Sequence, residues 1–87
     1  MAVLHIVNRP AALESCLGAS SANDVVLLIE DGVYAGATAE VGRELHAIDV
    51  DVRARGIAKR MNERVTVVTY ADFVRLAEVN NPIVTWR

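Results

Sequence analysis

Cys16 is the only strongly nucleophilic side chain in this 87-residue sequence, which holds a single cysteine. It stands three residues after Leu13 and one before Leu17, a spacing that gathers the three on one side of a helix. On a helical wheel turning about 100° per residue, Leu13 and Leu17 bracket the apolar stripe and Cys16 falls roughly 80° to one side. That position is the boundary between core and solvent, where a thiol is either reactive or half-buried packing. Glu14 and Ser15 offer nothing to lower its pKa, and it lies mid-helix, away from the N-terminus that stabilises a thiolate. On the residues alone, Cys16 reads as packing.

The remaining candidates are weaker. Glu30 and Asp31 are adjacent carboxylates that point in different directions, so a hydrogen-bonded turn before Gly32 explains them better than acid–base work. His5 and His46 lie within apolar runs and read as satisfied core histidines. One cysteine excludes an internal disulfide, a CxxC redox motif and a cysteine-rich zinc site, and no metal or cofactor is expected. Asn8-Arg9-Pro10 follows the first strand where a phosphorylation receiver needs acids, and Gly32 and Gly36 lack the spacing of a dinucleotide loop. Arg53, Arg55, Lys59, Arg60 and Arg64 are five of the nine basic residues, gathered in one short span. They fit a solvated helix face or a docking patch for an acidic partner or RNA.

The elements that position these residues alternate. Val25 to Ile29 is an uninterrupted apolar run, the mark of a strand buried on both faces at the centre of a parallel sheet. Val3 to Val7 precedes it as a first strand, and Pro10 opens a helix reaching about Ser20. The Ala- and Gly-rich segment Val33 to Glu44 predicts a short, closely packed helix, and Leu45 to Val50 a third strand. One or two helical turns end at Gly56, the basic stretch Ile57 to Arg64 is irregular, and Val65 to Thr69 is a fourth strand. Thr69 and Asp72 have capping-box spacing ahead of a helix whose apolar stripe is Tyr70, Phe73, Val74 and Ala77. Ile83 to Trp86 is an edge strand or a docking tail.

This order predicts a three-layer α/β/α domain over residues 1–87, with a four- or five-stranded, mainly parallel sheet. Right-handed crossovers then put the strand exits on one edge, an acidic rim of Asn8, Glu30, Asp31, Asp49, Asp51 and Tyr70. The composition is 53% hydrophobic with one Trp, two Tyr and one Phe, an aliphatic core with apolar surface left for subunit contacts. A net charge of −2 argues against direct nucleic-acid binding, and no apolar run is long enough for a membrane span. A soluble, cytoplasmic protein is expected.

Taken together and in order, several stretches resemble the DsrH/TusB family: Leu4-His5-Ile6-Val7-Asn8-Arg9-Pro10, Leu13-Glu14-Ser15-Cys16-Leu17, and Val26 to Ala35 with its Ile-Glu-Asp-Gly-Val-Tyr. Asp51-Val52-Arg53-Ala54-Arg55-Gly56, Val65 to Val74 and Trp86 continue the match. The resemblance implies a small subunit of a cytoplasmic sulfur-relay complex. Its partners would be DsrE/TusD-type and DsrF/TusC-type subunits in a heterohexamer, which passes persulfide sulfur to a DsrC/TusE-type carrier. The sulfur serves tRNA 2-thiouridine synthesis in one branch and sulfur oxidation in the other. A cysteine in Leu-Glu-Ser-Cys-Leu is typical of the DsrH side, so Cys16 points to sulfur oxidation and would be an accessory sulfur acceptor. The principal persulfide cysteine belongs to the DsrE/TusD-type partner. Glu30, Asp31, Arg53 and Arg55 are the expected partner-binding residues. The chain departs from the family pattern in lacking a Ser before Pro10, in Val52 where Leu is usual, and in Ala35 to Glu44, which matches nothing particular. An alternative is a stand-alone homodimeric α/β interaction module that shares only the fold.

Overall fold

A computed structural model describes residues 2–38 and 42–87. Five strands form one sheet in the order β4-β3-β2-β1-β5: β1 Leu4–Val7, β2 Val25–Leu28, β3 Leu45–Ile48, β4 Val65–Val68 and β5 Ile83–Trp86. Every pairing is parallel, and β1 lies between β2 and β5 with Leu4 opposite both Val25 and Ile83. The tail is therefore an edge strand.

Strand order dictates the layers. From β1 to β4 the chain steps in one direction, so right-handed crossovers carry its connections over one face. That face is packed by α1 (Leu13–Ala19), α2 (Asp49–Ala54) and the 3-10 segment Glu30–Ala37. Their Cys16, Val52, Val33 and Ala35 meet Val7, Val26, Leu28 and Ala47 of the sheet in the larger core. The step from β4 back to β5 reverses direction and places α3 (Tyr70–Val79) on the opposite face. There Phe73, Leu76 and Ala77 cover Leu4, Ile6, Leu27 and Val68. In β2, Val26 and Leu28 face the first core while Leu27 faces the second, and all three are fully buried. This is the two-faced burial that the run Val25 to Ile29 demands.

Several local expectations shift. The third strand ends at Ile48, because Asp49 and Asp51 in the first turn and Arg53 in the last suit α2 to its dipole, and Val50 lies exposed on that helix. The fourth strand ends one residue early, since Thr69 caps α3. The helix predicted over Val33 to Glu44 is instead a 3-10 segment that begins at Glu30 and ends at Ala37, while positions 39–41 of that prediction lie outside the described residues. The first helix starts with a 3-10 turn, Pro10–Ala12, before α1 proper. In α3 the sheet-facing stripe is Phe73, Leu76 and Ala77; Tyr70 and Val74 are exposed. The capping box is as the sequence reads: Asp72 N–H donates to Thr69 Oγ1 at 3.1 Å and Thr69 N–H to the Asp72 carboxylate at 3.1 Å. Among the described residues no helix is long and apolar enough to cross a membrane.

Candidate functional site

Cys16 does not lie at a boundary. Its side chain is 0% exposed, in the core between α1 and the sheet. The face of α1 turned to the sheet is centred on Ala12 and Cys16, four apart, rather than on Leu13 and Leu17, which lie to one side of it half-buried. Two small residues facing the sheet let α1 approach closely. Burial raises the Cys16 pKa from 9.0 to about 11; the Arg43 guanidinium lowers it less than burial raises it, and Asp24 adds to the rise. At neutral pH about one thiol in ten thousand is then ionised. A groove of about 460 Å³ runs over the outside of the same helix between Leu13, Leu17, Pro10 and Thr38, and Cys16 does not line it.

The four expected partner-binding residues divide. Glu30 and Asp31 leave β2 at the carboxyl edge, with Glu30 in the left-handed region at φ 50°. Its N–H donates to the Asp51 carboxylate at 2.8 Å, which ties the exit of β2 to the start of α2. Arg55 Nε donates to Asp31 at 3.0 Å, and Arg55 also reaches the Asp51 carbonyl at 3.3 Å. Glu30, Asp31 and Arg55 are thus brought together around Asp51 as a network that binds two elements to each other. Gly32 sits against β1 there, where a methyl group would collide with the Val7 carbonyl oxygen. Arg53 stands apart, exposed and paired with Asp49 along its own helix at 3.0 Å.

The basic cluster is divided in the same way. Arg53 and Arg55 are taken by these acids and Arg64 lies 3.8 Å from Glu44. Lys59 and Arg60 remain exposed on the 3-10 turn Ala58–Arg60, without an ion pair among the described residues.

Sequence reasoning missed a buried polar chain. Trp86 Nε1 lies 3.0 Å from His5 Nδ1, and His5 Nε2 lies 2.8 Å from the Asp24 carboxylate. An indole N–H only donates, so Nδ1 accepts and the ring proton sits on Nε2, donating to Asp24. Asp24 also accepts from the N–H groups of Val3 and Ser21, and these bonds, the one from His5 foremost, hold its carboxyl well below the usual range. The arrangement has the aspartate–histidine pair of a catalytic triad, but the third member is an indole donor with no nucleophilic atom. It fastens β5 to β1 and β1 to the start of β2. His5 is the satisfied core histidine that its strand suggests. His46 is not: it is half-buried, and its Nδ1 is buried without a partner among the described residues. Among the described residues, no three His, Cys, Asp or Glu side chains are grouped to hold a metal ion.

The arrangement is that of a well-fastened scaffold with one enclosed thiol, and the similarity to known proteins covers the same body. Residues 8–82 match the family model described as DsrH like protein. Protein TusB of Sodalis glossinidius is 32% identical over 82 residues, covering 85% of this chain and 86% of the relative. Protein TusB of Erwinia tasmaniensis is 34% identical over the same length. Protein TusB of Escherichia coli strain SMS-3-5 is 30% identical over 95 residues, covering 97% of this chain and all of the relative. On these matches, the chain belongs to the DsrH/TusB family.

Proposed function

We propose that this protein is a cytoplasmic subunit of a sulfur-relay complex, with a chiefly structural and docking role. Its companions would be DsrE/TusD-type and DsrF/TusC-type subunits in a heterohexamer that hands persulfide sulfur to a DsrC/TusE-type carrier. The observation that carries the reading is family membership over residues 8–82, a span that includes α1, the carboxyl-edge network and α3. The name shared by the relatives favours tRNA thiolation as the destination over the sulfur oxidation to which Cys16 alone points.

The state of Cys16 supports a docking role. A primary sulfur donor needs an accessible thiolate, whereas this thiol is enclosed and protonated. As an accessory acceptor it requires a partner that loosens α1 and admits a base. The Cys16 thiol then gives its proton to that base, and the thiolate attacks the outer sulfur of the donor persulfide. The donor S–S bond breaks, the donor leaves as a thiolate and Cys16 carries the persulfide until an incoming thiolate removes it.

Transfer of labelled sulfur to the carrier tests both parts, using the wild-type complex, the complex with Cys16→Ser, and the two partner subunits alone. Omitting this chain abolishes transfer, and Cys16→Ser reduces it several-fold. Full transfer without this chain contradicts the docking role. Full transfer in Cys16→Ser removes the accessory-acceptor role and leaves docking intact.

A further inference from the structure

From the open cavity at the amino edge of the sheet, we propose that this protein binds a small tetrahedral oxyanion, a phosphate or sulfate group, between Arg43, Arg64 and His46. The cavity, about 440 Å³, lies where the chain enters β2, β3 and β4, at the opposite end of the sheet from the Glu30–Asp31–Arg55 network. Its charges are unequally committed. Arg43 is fixed by three neutral oxygens: Ser20 Oγ at 3.0 Å, the Ser21 carbonyl at 3.2 Å and the Asp24 carbonyl at 2.6 Å. No carboxylate forms an ion pair with it among the described residues, so its guanidinium is positioned by neutral oxygens. Asp24 borders the cavity; its carboxylate oxygens are occupied by the neutral donors of His5, Val3 and Ser21, which leave its negative charge in place, so the cation-rich part of the lining is that of Arg43 and Arg64. Glu44 touches Arg64 only at 3.8 Å, and with its side chain 72% exposed it can swing into solvent when an anion arrives.

His46 supplies the neutral donor. Its Nδ1 is buried without a partner among the described residues, while the residue lines the cavity. With its proton on Nε2, the ring offers an N–H to a ligand in the cavity. Two guanidiniums and an imidazole, from the start of β3, the start of β4 and the body of β3, line the one cavity. A tetrahedral dianion has oxygens for all three, whereas a carboxylate offers two in one plane. Ala22 and Val25 give the cavity an apolar wall that would carry a small ester group. The site is independent of the sulfur-relay reading.

The test is an NMR titration of the full chain with inorganic phosphate at constant ionic strength set by chloride, following the Arg Nε–H and His46 ring signals. Saturable shifts are expected at Arg43, Arg64 and His46. Arg64→Gln, at an exposed position that leaves the fold alone, should weaken binding at least ten-fold, as should His46→Gln, while Arg53→Gln has no effect. These variants decide the matter even if Arg43→Gln, which loses its Ser20–Asp24 anchor, fails to fold. Glycerol phosphate binding more tightly than phosphate identifies an ester as the ligand, and weaker binding identifies the free anion. Shifts that stay linear to high phosphate, equal shifts with acetate, or an Arg53→Gln effect as large as that of Arg64→Gln would overturn the proposal.

Discussion

Cys16 shows how far single residues can be read without their neighbours in space. Its type is legible as the one strong nucleophile, but its position is not, because the two leucines mark the most apolar side of the helix and the sheet takes the side with the small residues. The sheet instead receives the narrow side of α1, Ala12 and Cys16, and encloses the thiol, while the larger Leu13 and Leu17 pack beside it. In the isolated folded chain, Cys16 should react with iodoacetamide about a hundred-fold more slowly than in urea. Mass spectrometry of the alkylated fraction over time checks this, and equal rates would contradict the enclosed thiol. His5 was legible as a satisfied core residue, but its partners Asp24 and Trp86 were not, since the contact with Trp86 joins the two ends of the chain. Asp24 gives that chain a pH signature. Its folded-state pKa is depressed, so the unfolded chain takes up the proton first as pH falls. The stability it contributes is whole above the unfolded carboxyl value of about 3.9 and is lost as pH falls through that value towards the folded one. Urea midpoints between pH 6 and pH 3 should therefore drop more steeply for the wild type than for Asp24→Asn. Parallel curves would contradict the assignment.

At the scale of elements, the strands and α3 were the legible part, because their signals are local. The run Val25 to Ile29 cannot hide its apolar residues except between two layers, and Thr69 with Asp72 form the capping box that their spacing announces. The segment Glu30–Ala37 was less legible: its start is fixed by the bond from Glu30 N–H to Asp51, twenty-one residues away, and by the packing of Gly32 on Val7. Nothing local encodes either contact. Gly32→Ala places a methyl group against backbone that cannot yield, so it should destabilise the fold by about 2 kcal/mol or more. Gly18→Ala, where a methyl group meets nothing within 4 Å, serves as the control. Thermal melts of both variants measure the difference. The carboxyl-edge acids belong to this scale as well, since Asp31, Asp51 and Arg55 join α2 to the exit of β2 before they can serve any partner.

For the whole molecule, alternation of strands and helices was enough to foresee a three-layer parallel sheet. The strand order places β5 beside β1, and among the described residues α3 is the only helix on its face of the five-stranded sheet. One helix is narrower than five strands at about 4.8 Å spacing, which leaves Ile83 of the edge strand exposed, and Tyr70, Val74 and Val79 add apolar surface on the side of α3 turned from the sheet. A small domain with this much apolar exposure is suited to a larger assembly. The central claim is that the assembly is made with related relay subunits. Native mass spectrometry after co-expression with DsrE/TusD-type and DsrF/TusC-type subunits tests it most directly. The expected species contains two copies of each of the three chains, in a stoichiometry that Cys16→Ser does not alter. A stable homodimer of this chain, with both candidate partners free in the same sample, would contradict the account.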